Sequence, residues 1–521
     1  MHWATEMAER IIKERPNKEV YTLASGISPS GNVHIGNFRE FITSYFIAEE
    51  LKRLGKKVRF IFSWDDYDRL RKVPLNINQN LKEYIGRAYT DVPSPNESET
   101  ISYGRHFQNK FEGELNAMDV SCEYIYQTKQ YTSGRYNKNM IEAIEKRLQI
   151  FDILAEFKTQ TFTEEERQKY YPVGIYCENC KKDTTTVTSY NNETNEISYT
   201  CECGHSASFD VKKASNMKLD WKIDWPMRWR EEQVDFEPGG RDHASETGSY
   251  SVSSVISHKI FNYEPPIFLG YDFIGVKGSN KKVSSSLGNT LVLTDLLKVY
   301  DRHIIKWFYA KYKPGAAFDI SLDNDVIRYY GEFDRSVKAY FDGKFDGTTN
   351  ADIMRLTGVT KDYLDTTPFN YIATFMPMVN YNEELLKDLM VKEGIDVNTA
   401  NFESRKEKAM YWLETYADNY RINILDEFNE DYYNTLSETQ KQNIQKVITL
   451  LNNNWTSATD LQNALYAIPI TEVDDDKTKK EKQKMFFQDL YELLTGDSQG
   501  PKLGLFLLAL EKNVVIKLLN K

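Results

Sequence analysis

The chain has 521 residues, of which 40% are hydrophobic and 13% aromatic, so it can form several buried cores. At about 100–200 residues per domain, three or four units are expected. The 66 basic and 77 acidic side chains give a formal net charge of −11, which argues against a protein that coats nucleic acid indiscriminately but leaves room for local basic grooves. No run of about 18 uninterrupted apolar residues occurs, and residues 1–16 have no signal-peptide core. A cytoplasmic protein without a membrane span is expected.

The first 66 residues contain two apolar runs on either side of a helical pattern. Residues 19–26 and 56–66 predict buried strands, and the apolar spacing of residues 37–55 predicts a helix that ends near Gly55. Strand, helix and strand in this order predict a parallel α/β sheet. Residues 264–275 predict a later strand that leads into the stretch KVSSSLGN.

We expect four ranges along the chain. Residues 1–86 and 236–320 are interpreted as the two halves of one Rossmann-like nucleotide-binding fold. Residues 87–235 have an irregular pattern, hold the cluster of four cysteines and are interpreted as an insertion between these halves. Residues 321–521 are predicted to be helical, with a capping-box signature and helical apolar spacing in residues 437–451.

The stretch SGISPSGNVHIGN, residues 25–37, lies between the first predicted strand and its helix. Its glycines let a ligand approach the backbone, and a helix N-terminus offers free N–H groups to an anion. His34 and Asn37 add side-chain donors. The alternative is a glycine-rich turn that only caps the helix, and the stretch has the spacing of neither a P-loop nor a dinucleotide-binding loop.

Four cysteines form two close pairs, Cys177 with Cys180 and Cys201 with Cys203. Four thiolates suit a tetrahedral zinc ion, and with four protein ligands such a site is structural rather than catalytic. The second pair has one intervening residue rather than two, so His205 is an alternative ligand. A reduced cluster without metal is the other interpretation.

Two short motifs carry a resemblance to a known class of enzyme. HIGN at 34–37 resembles the HIGH motif of class I aminoacyl-tRNA synthetases, and KVSSS at 282–286 resembles their KMSKS loop. Longer stretches resemble blocks of one family in that class, the class I lysyl-tRNA synthetases, and together they span nearly the whole chain: SGISPSGNVHIGNFRE, SWDDYDRLRKVP, WKIDWPMRW, VDFEPGGRDHA, KKVSSSLGN and GPKLG. One departure is Leu287, where the family usually has a lysine.

The resemblance implies a two-step reaction. L-lysine is activated by ATP to lysyl-adenylate, with Mg²⁺ on the phosphates, and the lysyl group is then transferred to the 3′ end of tRNA(Lys). It also implies a Rossmann-like catalytic domain with a zinc-containing insertion, an all-α anticodon-binding region at residues 321–521, and a monomer. The alternatives are the same fold with another amino acid, such as glutamate or cysteine, and a paralogue that binds tRNA or a nucleotide without charging.

The resemblance also assigns roles to individual residues. The catalytic set is His34, Asn37, Lys282, Ser284 and Ser285. The ATP-binding set is Pro29, Ser30, Gly31, His34, Gly36, Asn37 and Lys282. The lysine-binding set is Gly26, Ser28, Asp65, Trp221, His243 and Tyr271.

Several other side chains have two interpretations each. Asp65, Asp66 and Asp242 are carboxylates that would suit the ammonium group of lysine, or else caps and structural pairs. Trp221, Trp225 and Trp229 have helical spacing, and core packing is the preferred interpretation of the last two. Tyr432, Tyr433 and Trp455 could stack on unpaired bases, although aromatic side chains in helical regions are more often core.

Overall fold

A computed structural model of the chain describes residues 1–277, 291–455 and 457–520. The chain forms two compact units: unit 1 is Met1–Leu297, Arg302–Ile320 and Phe345–Gly358, and unit 2 is Lys298–Asp301, Ser321–Lys344 and Val359–Lys521. Within the described part of the chain, none of the helices combines the length and the apolar character that a membrane crossing requires.

Unit 1 contains the strands. In chain order they are β1 (Val20–Ile27), β2 (Lys57–Trp64), β3 (Glu123–Tyr126), β4 (Val173–Ile175), β5 (Thr185–Asn191), β6 (Glu196–Cys201), β7 (Ser206–Asp210), β8 (Met217–Leu219), β9 (Val234–Gly240), β10 (Ile267–Tyr271), β11 (Ile274–Lys277) and β12 (Phe318–Ser321, whose last residue belongs to unit 2).

The main sheet is parallel, as the strand, helix and strand pattern predicts. Over the described ranges it has five strands in the order β10, β9, β1, β2, β3. Because parallel strands point the same way, their carboxyl ends meet at one edge, where open α/β sheets bind ligands. The register places Gly26 beside Ser63 and Tyr271 beside Gly240 at that edge.

The first helices of the chain cover this sheet and the insertion. They are α1 (Trp3–Glu14), α2 (Ile35–Arg53), α3 (Tyr103–Ala117), α4 (Gln127–Thr132), α5 (Asn137–Glu145), α6 (Arg147–Glu156), α7 (Glu164–Lys169), α8 (Trp221–Glu232), α9 (Ser249–Lys259), α10 (Leu293–Leu297) and α11 (Arg302–Lys311). The predicted helix is α2, and Gly55, with a φ of 76°, follows it in the left-handed conformation that favours glycine. Its Phe38, Phe41 and Phe46 are fully buried.

The range predicted as an insertion contains two kinds of structure. β3 pairs with β2 and extends the main sheet. Residues 173–219 form a separate small module, which we call the cysteine module, in which β5, β6 and β7 make an antiparallel sheet and β4 pairs with β8. The proposed domain boundaries themselves stay a prediction.

Most of the remaining helices belong to unit 2. They are α12 (Asp325–Phe341), α13 (Thr349–Leu356, in unit 1), α14 (Phe369–Met378), α15 (Glu383–Lys392), α16 (Phe402–Thr415), α17 (Glu430–Thr435), α18 (Glu438–Leu451), α19 (Ala458–Ala467), α20 (Asp476–Thr495), α21 (Leu503–Ala509) and α22 (Lys512–Leu519). The predicted capping box is present, because Ser437 and Gln440 cap α18 reciprocally. The prediction of a helical C-terminal region is confirmed.

Two details of unit 2 bear on the sequence interpretation. Asp475 is the N-cap of α20, because its carboxylate accepts a hydrogen bond from the Thr478 backbone N–H. Among the aromatic candidates for base stacking, Tyr432 donates to Asp489 and Trp455 donates to the carbonyl of Leu450. These internal contacts favour the packing interpretation for both rings.

Candidate active site

The first motif residue, His34, is the N-cap of α2. Its Nδ1 accepts hydrogen bonds from the backbone N–H groups of Gly36 and Asn37, at 3.1 and 3.2 Å. Burial lowers the pKa of His34, so the ring is neutral and carries its proton on Nε2. The helix-capping interpretation is therefore correct for Nδ1, and it leaves Nε2–H as a donor for a ligand.

Gly36 is required by this cap. A Cβ atom on Gly36 would lie 2.9 Å from both Cε1 and Nδ1 of His34, closer than van der Waals contact allows. Any other residue would displace the imidazole ring. The glycine thus has a role in the motif that does not depend on the approach of a ligand.

The second motif falls mainly outside the described residues. Lys282, Ser284 and Ser285 lie between residues 278 and 290, and Leu287 does too. The chain that follows them returns to the first motif: the Ile35 N–H donates to the Leu291 carbonyl at 3.0 Å, and His34 forms a β-bridge with Val292. Backbone hydrogen bonds therefore join the first motif to the residues directly after the second.

A large cavity of about 970 Å³ opens at the carboxyl edge of the sheet, and we call it the outer cavity. This volume is at the upper end of the range for ligand pockets. Six of the predicted site residues line it: Ser28, Ser30, Gly31, Asp65, Trp221 and His243. Pro29, His34, Gly36 and Asn37 are not part of its described wall.

A smaller pocket of about 120 Å³ adjoins the outer cavity and shares Asp65, Trp221 and His243 with it. We call it the inner pocket. Its wall combines indole rings with carboxylates and includes Gly26, Glu40, Asp65, Trp221, Trp225, Trp229, Glu237 and His243. Of the predicted lysine-binding residues, Ser28 and Tyr271 lie outside this wall. Trp225 and Trp229 are buried, as predicted, and also line the pocket.

Glu40, on α2, is held at the inner pocket by two donors. Its Oε1 accepts from the Gly26 N–H at 3.1 Å, and its Oε2 accepts from the Tyr271 hydroxyl at 2.8 Å. Burial, reinforced by the nearby Glu237 and Asp65 carboxylates, raises the pKa of Glu40 to about 8. Tyr271 therefore does not line the inner pocket, and its contact with the site is the hydrogen bond to Glu40.

Glu237, on β9, is the second buried carboxylate of the inner pocket. Its Oε2 accepts from the Trp229 indole N–H at 2.7 Å, and burial raises its pKa to about 7. Among the residues that the structure describes, neither Glu237 nor Glu40 forms an ion pair with a basic side chain. The two carboxylates thus have no ion-pair partner of their own, although the Arg228 guanidinium, which pairs with Asp65 and Asp224, lines the same pocket and lowers the pKa of Glu237 in part.

Asp65 differs from these two glutamates because it has a cationic partner. The Arg228 guanidinium donates to Asp65 at 2.5 Å and also binds Asp224. Asp66 accepts from the backbone N–H of Thr128 at 2.7 Å. These contacts favour the structural interpretation of both aspartates.

A second buried ion pair orients Ser28. The Ser28 hydroxyl donates to Asp68 at 2.9 Å, and the Lys218 ammonium binds the other oxygen of Asp68. Ser28 and Lys218 both line the outer cavity. The pair fixes the direction of the Ser28 side chain at the start of the ligand-binding loop.

Glu40 and Glu237 did not emerge from the motifs, although the sequence contains a signal for one of them. Glu237 interrupts a strand whose neighbours are apolar or small, and an acid in a buried strand is uncommon without a partner. Glu40 has no such signal, because helical spacing alone does not say that it faces a cavity.

The four cysteines of the cysteine module converge. The Sγ atoms of Cys177 and Cys203 are 3.7 Å apart, as are those of Cys180 and Cys201, and all four lie within 4.8 Å of one another. A tetrahedral zinc with Zn–S bonds of about 2.3 Å requires S···S separations of about 3.8 Å. In the described residues His205 is not a member of this cluster, and its Nε2 lies 3.9 Å from Glu178.

The family model described as tRNA synthetases class I (K) matches residues 1–360. The chain belongs to this family. The resemblance seen in the motifs is therefore confirmed, and the parallel sheet with its two cavities is the catalytic fold of a class I (K) tRNA synthetase.

Curated relatives extend the match beyond residue 360. A protein named lysine–tRNA ligase from Borreliella burgdorferi is 35% identical over 527 aligned residues, covering 97% of this chain and 96% of the relative. One of the same name from Thermococcus kodakarensis is 34% identical and covers 100% and 99%. One from Treponema pallidum is 42% identical over 342 residues, covering 64% and 63%.

Proposed function

We propose that this class I (K) tRNA synthetase is a lysine–tRNA ligase. It activates L-lysine with ATP to lysyl-adenylate and transfers the lysyl group to the 3′ end of tRNA(Lys). The relatives of that name match it along nearly its whole length. The observation that carries the proposal is the inner pocket, in which Glu40 and Glu237 have no ion-pair partner among the described residues and the one guanidinium, that of Arg228, is already paired with Asp65 and Asp224.

The inner pocket suits the lysine side chain in both its parts. The aliphatic stem packs on indole rings, which also attract a cation. The ammonium group supplies the positive charge that the two glutamates lack. A buried carboxylate is stable in its ionised form only with such a partner.

The same pocket disfavours the two alternative amino acids. The side chain of glutamate would place a third carboxyl group beside Glu40 and Glu237 without supplying a cation, and carboxylates in one buried site disfavour each other's ionised form. Cysteine is neutral, so it would leave both glutamates without a cation. Charge complementarity therefore selects lysine among these substrates.

The ATP side of the reaction rests on the N-terminus of α2. The backbone N–H groups there and the Nε2–H of His34 stabilise negative charge on phosphate, and Asn37 adds a side-chain donor. Mg²⁺ on the ATP phosphates would supply further charge neutralisation. Pro29, Ser30, Gly31 and Gly36 complete the proposed ATP site on this loop.

The reaction requires no protein nucleophile. The lysine carboxylate attacks the α-phosphate, which forms the C–O–P bond of the adenylate and releases pyrophosphate. The terminal ribose hydroxyl of tRNA then attacks the lysyl carbonyl and releases AMP. Positioning and charge stabilisation supply the rate enhancement, and we assign Lys282, Ser284 and Ser285 to the phosphates in the first step.

The cysteine module has the donor set and spacing of a structural zinc site. Cys177, Cys180, Cys201 and Cys203 would hold Zn²⁺ as four thiolates, and a site with four protein ligands has no open position for a substrate. The purified protein is expected to contain about one zinc per chain, and Cys203→Ser to lose most of it. Cys122→Ser, outside the cluster, is the control; zinc-free wild-type protein refutes the assignment.

We also propose that the protein acts as a monomer in the cytoplasm, with unit 2 contributing the anticodon-binding region. The experiment that tests the proposed function is amino-acid-dependent ATP–pyrophosphate exchange with each of the twenty amino acids, followed by charging of total tRNA. Exchange with lysine and lysyl-tRNA formation are expected. Exchange driven by another amino acid, or tRNA binding without any exchange, contradicts the proposal.

A further inference from the structure

We propose that residues 71–78, RKVPLNIN, bind the single-stranded 3′ end of tRNA at the mouth of the outer cavity. This inference rests on the proposed function, since it places one of that reaction's substrates. The segment lies in the loop that follows the carboxyl end of β2, after Asp68, and six of its residues line the outer cavity: Arg71, Lys72, Pro74, Asn76, Ile77 and Asn78.

Residues 71–78 contribute two adjacent basic side chains, Arg71 and Lys72, to the wall of the outer cavity. Of the other basic residues in its wall, Arg69 pairs with Asp183 and Lys218 pairs with Asp68, whereas Lys110 donates to the neutral Asn32 amide and has no ion pair in the described part of the chain. Among the described residues, Arg71 and Lys72 form no ion pair. Both line the cavity and are exposed, so they offer two uncompensated positive charges in a chain with a net charge of −11.

The segment also presents an apolar side chain to solvent next to these cations. Leu75 is 76% exposed, and its neighbours Pro74, Asn76 and Ile77 line the cavity. Cations beside exposed apolar groups suit a single nucleic acid strand, because the cations neutralise its phosphates and the apolar groups contact the faces of its unpaired bases. The amide of Asn76 can bond a base edge or a 2′-hydroxyl.

Two observations favour tRNA over the phosphates of ATP. The outer cavity is about eight times larger than the inner pocket, 970 against 120 Å³, so a second substrate can enter while the adenylate is bound. Arg71, Lys72 and Leu75 are exposed, as contact with a macromolecule requires, whereas Glu40 is partly buried and Glu237 is buried at the inner pocket.

The cysteine module borders the same cavity and fixes this segment's surroundings. Gly174, Tyr176 and Asp183 are part of the wall. The Tyr176 hydroxyl donates to the Tyr67 carbonyl at 2.6 Å, and the Asp183 N–H donates to the Gly86 carbonyl at 2.9 Å. The module therefore braces the chain on both sides of residues 71–78.

The test compares an R71A/K72A variant with wild type in two assays, using a transcript of tRNA(Lys). The kcat/KM for tRNA in charging is expected to fall at least tenfold, mostly through KM. This fall should exceed any fall in tRNA-independent, lysine-dependent pyrophosphate exchange by at least fivefold. Because the variant can no longer neutralise two phosphates of a single strand, the magnitude of the slope of log kcat/KM against log salt concentration should fall by about 1.4. Lys82→Ala, an exposed cation on the neighbouring turn outside the cavity wall, is the matched control.

Binding of a transcript that lacks its 3′-terminal CCA makes the test specific. If residues 71–78 contact that end, wild type and R71A/K72A should bind the truncated tRNA with the same Kd, as in a double-mutant cycle. An equal loss of affinity for full and truncated tRNA overturns the assignment, and so does a matching rise in KM for ATP during exchange. Because wild-type exchange is measured separately, failure of the proposed function is distinguishable from failure of this inference.

Discussion

The inner pocket and the mouth of the outer cavity differ in which charge lacks a partner. Inside, Glu40 and Glu237 form no ion pair among the described residues, because the nearby Arg228 is paired with Asp65 and Asp224. At the mouth, Arg71 and Lys72 are exposed bases without an acid. Other charged groups around these cavities form pairs, such as Asp68 with Lys218. We interpret the unpaired charges of the two regions as the places where a charged substrate completes the site.

Burial decides what each unpaired charge contributes. An acid in a dry pocket has a large desolvation cost when it ionises, so its partner must be a well-placed cation and the selectivity is high. An exposed base interacts with phosphate through water and salt, so its contribution is smaller and falls with ionic strength. We expect specificity for the amino acid from the inner pocket and affinity for tRNA from the mouth.

The largest expected effect is that of Glu40→Gln. The substitution keeps the shape and one acceptor oxygen for the Gly26 N–H, and its amide NH2 would donate to the Tyr271 hydroxyl oxygen instead of accepting from it. It removes the charge that receives the lysine ammonium. Loss of one partner of a buried charge pair costs about 3–5 kcal/mol, so kcat/KM for lysine in pyrophosphate exchange should fall at least 100-fold. Glu83→Gln, an exposed acid outside both cavities, is the control. A fall of less than threefold would remove Glu40 from the lysine site.

A smaller effect is expected from Gly36→Ala. The added Cβ would force the His34 ring out of its capping position, which is worth about 0.5–2 kcal/mol, and would misplace the Nε2–H donor. We expect roughly a tenfold fall in kcat for exchange with KM for lysine changed less than twofold. Gly113→Ala, on α3 with open space around it, is the control. Wild-type kcat in Gly36→Ala would mean that the cap has no part in the ATP site.

The smallest expected effect is on stability against pH. The folded-state pKa values of Glu40 and Glu237, about 8 and about 7, lie above the usual range for glutamate. Their contribution to stability is therefore present below about pH 4.5 and is lost as pH rises through 7 and 8. Without lysine, Tm should fall by a few degrees between pH 6 and pH 9, and saturating lysine should reduce that fall. A Tm slope that Glu40→Gln leaves unchanged would contradict the assignment of this pH dependence to Glu40.

The sequence predicted the secondary structure around the site and several of its wall residues, but not the charged contacts inside the inner pocket. Parallel strands and the helix after the glycine-rich loop follow from periodicity. The family resemblance assigned Gly26, Asp65, Trp221 and His243 to one lysine-binding set, and all four line the inner pocket. Glu40 could not be found in this way, because its role depends on which helix face meets a cavity. The ion pair between Asp65 and Arg228 could not be predicted from the sequence either, because 163 positions separate the two residues along the chain.

The proton balance of lysine binding tests the central claim most directly. Isothermal titration of wild type with L-lysine at pH 7, in two buffers of different ionisation enthalpy, measures how many protons leave the protein when the ammonium enters. We predict a net release of protons, because the cation lowers the pKa of Glu40 and Glu237, and a smaller release from Glu40→Gln. Lysine binding with no proton release, or with proton uptake, would contradict the claim that Glu40 and Glu237 ionise when the lysine ammonium binds beside them.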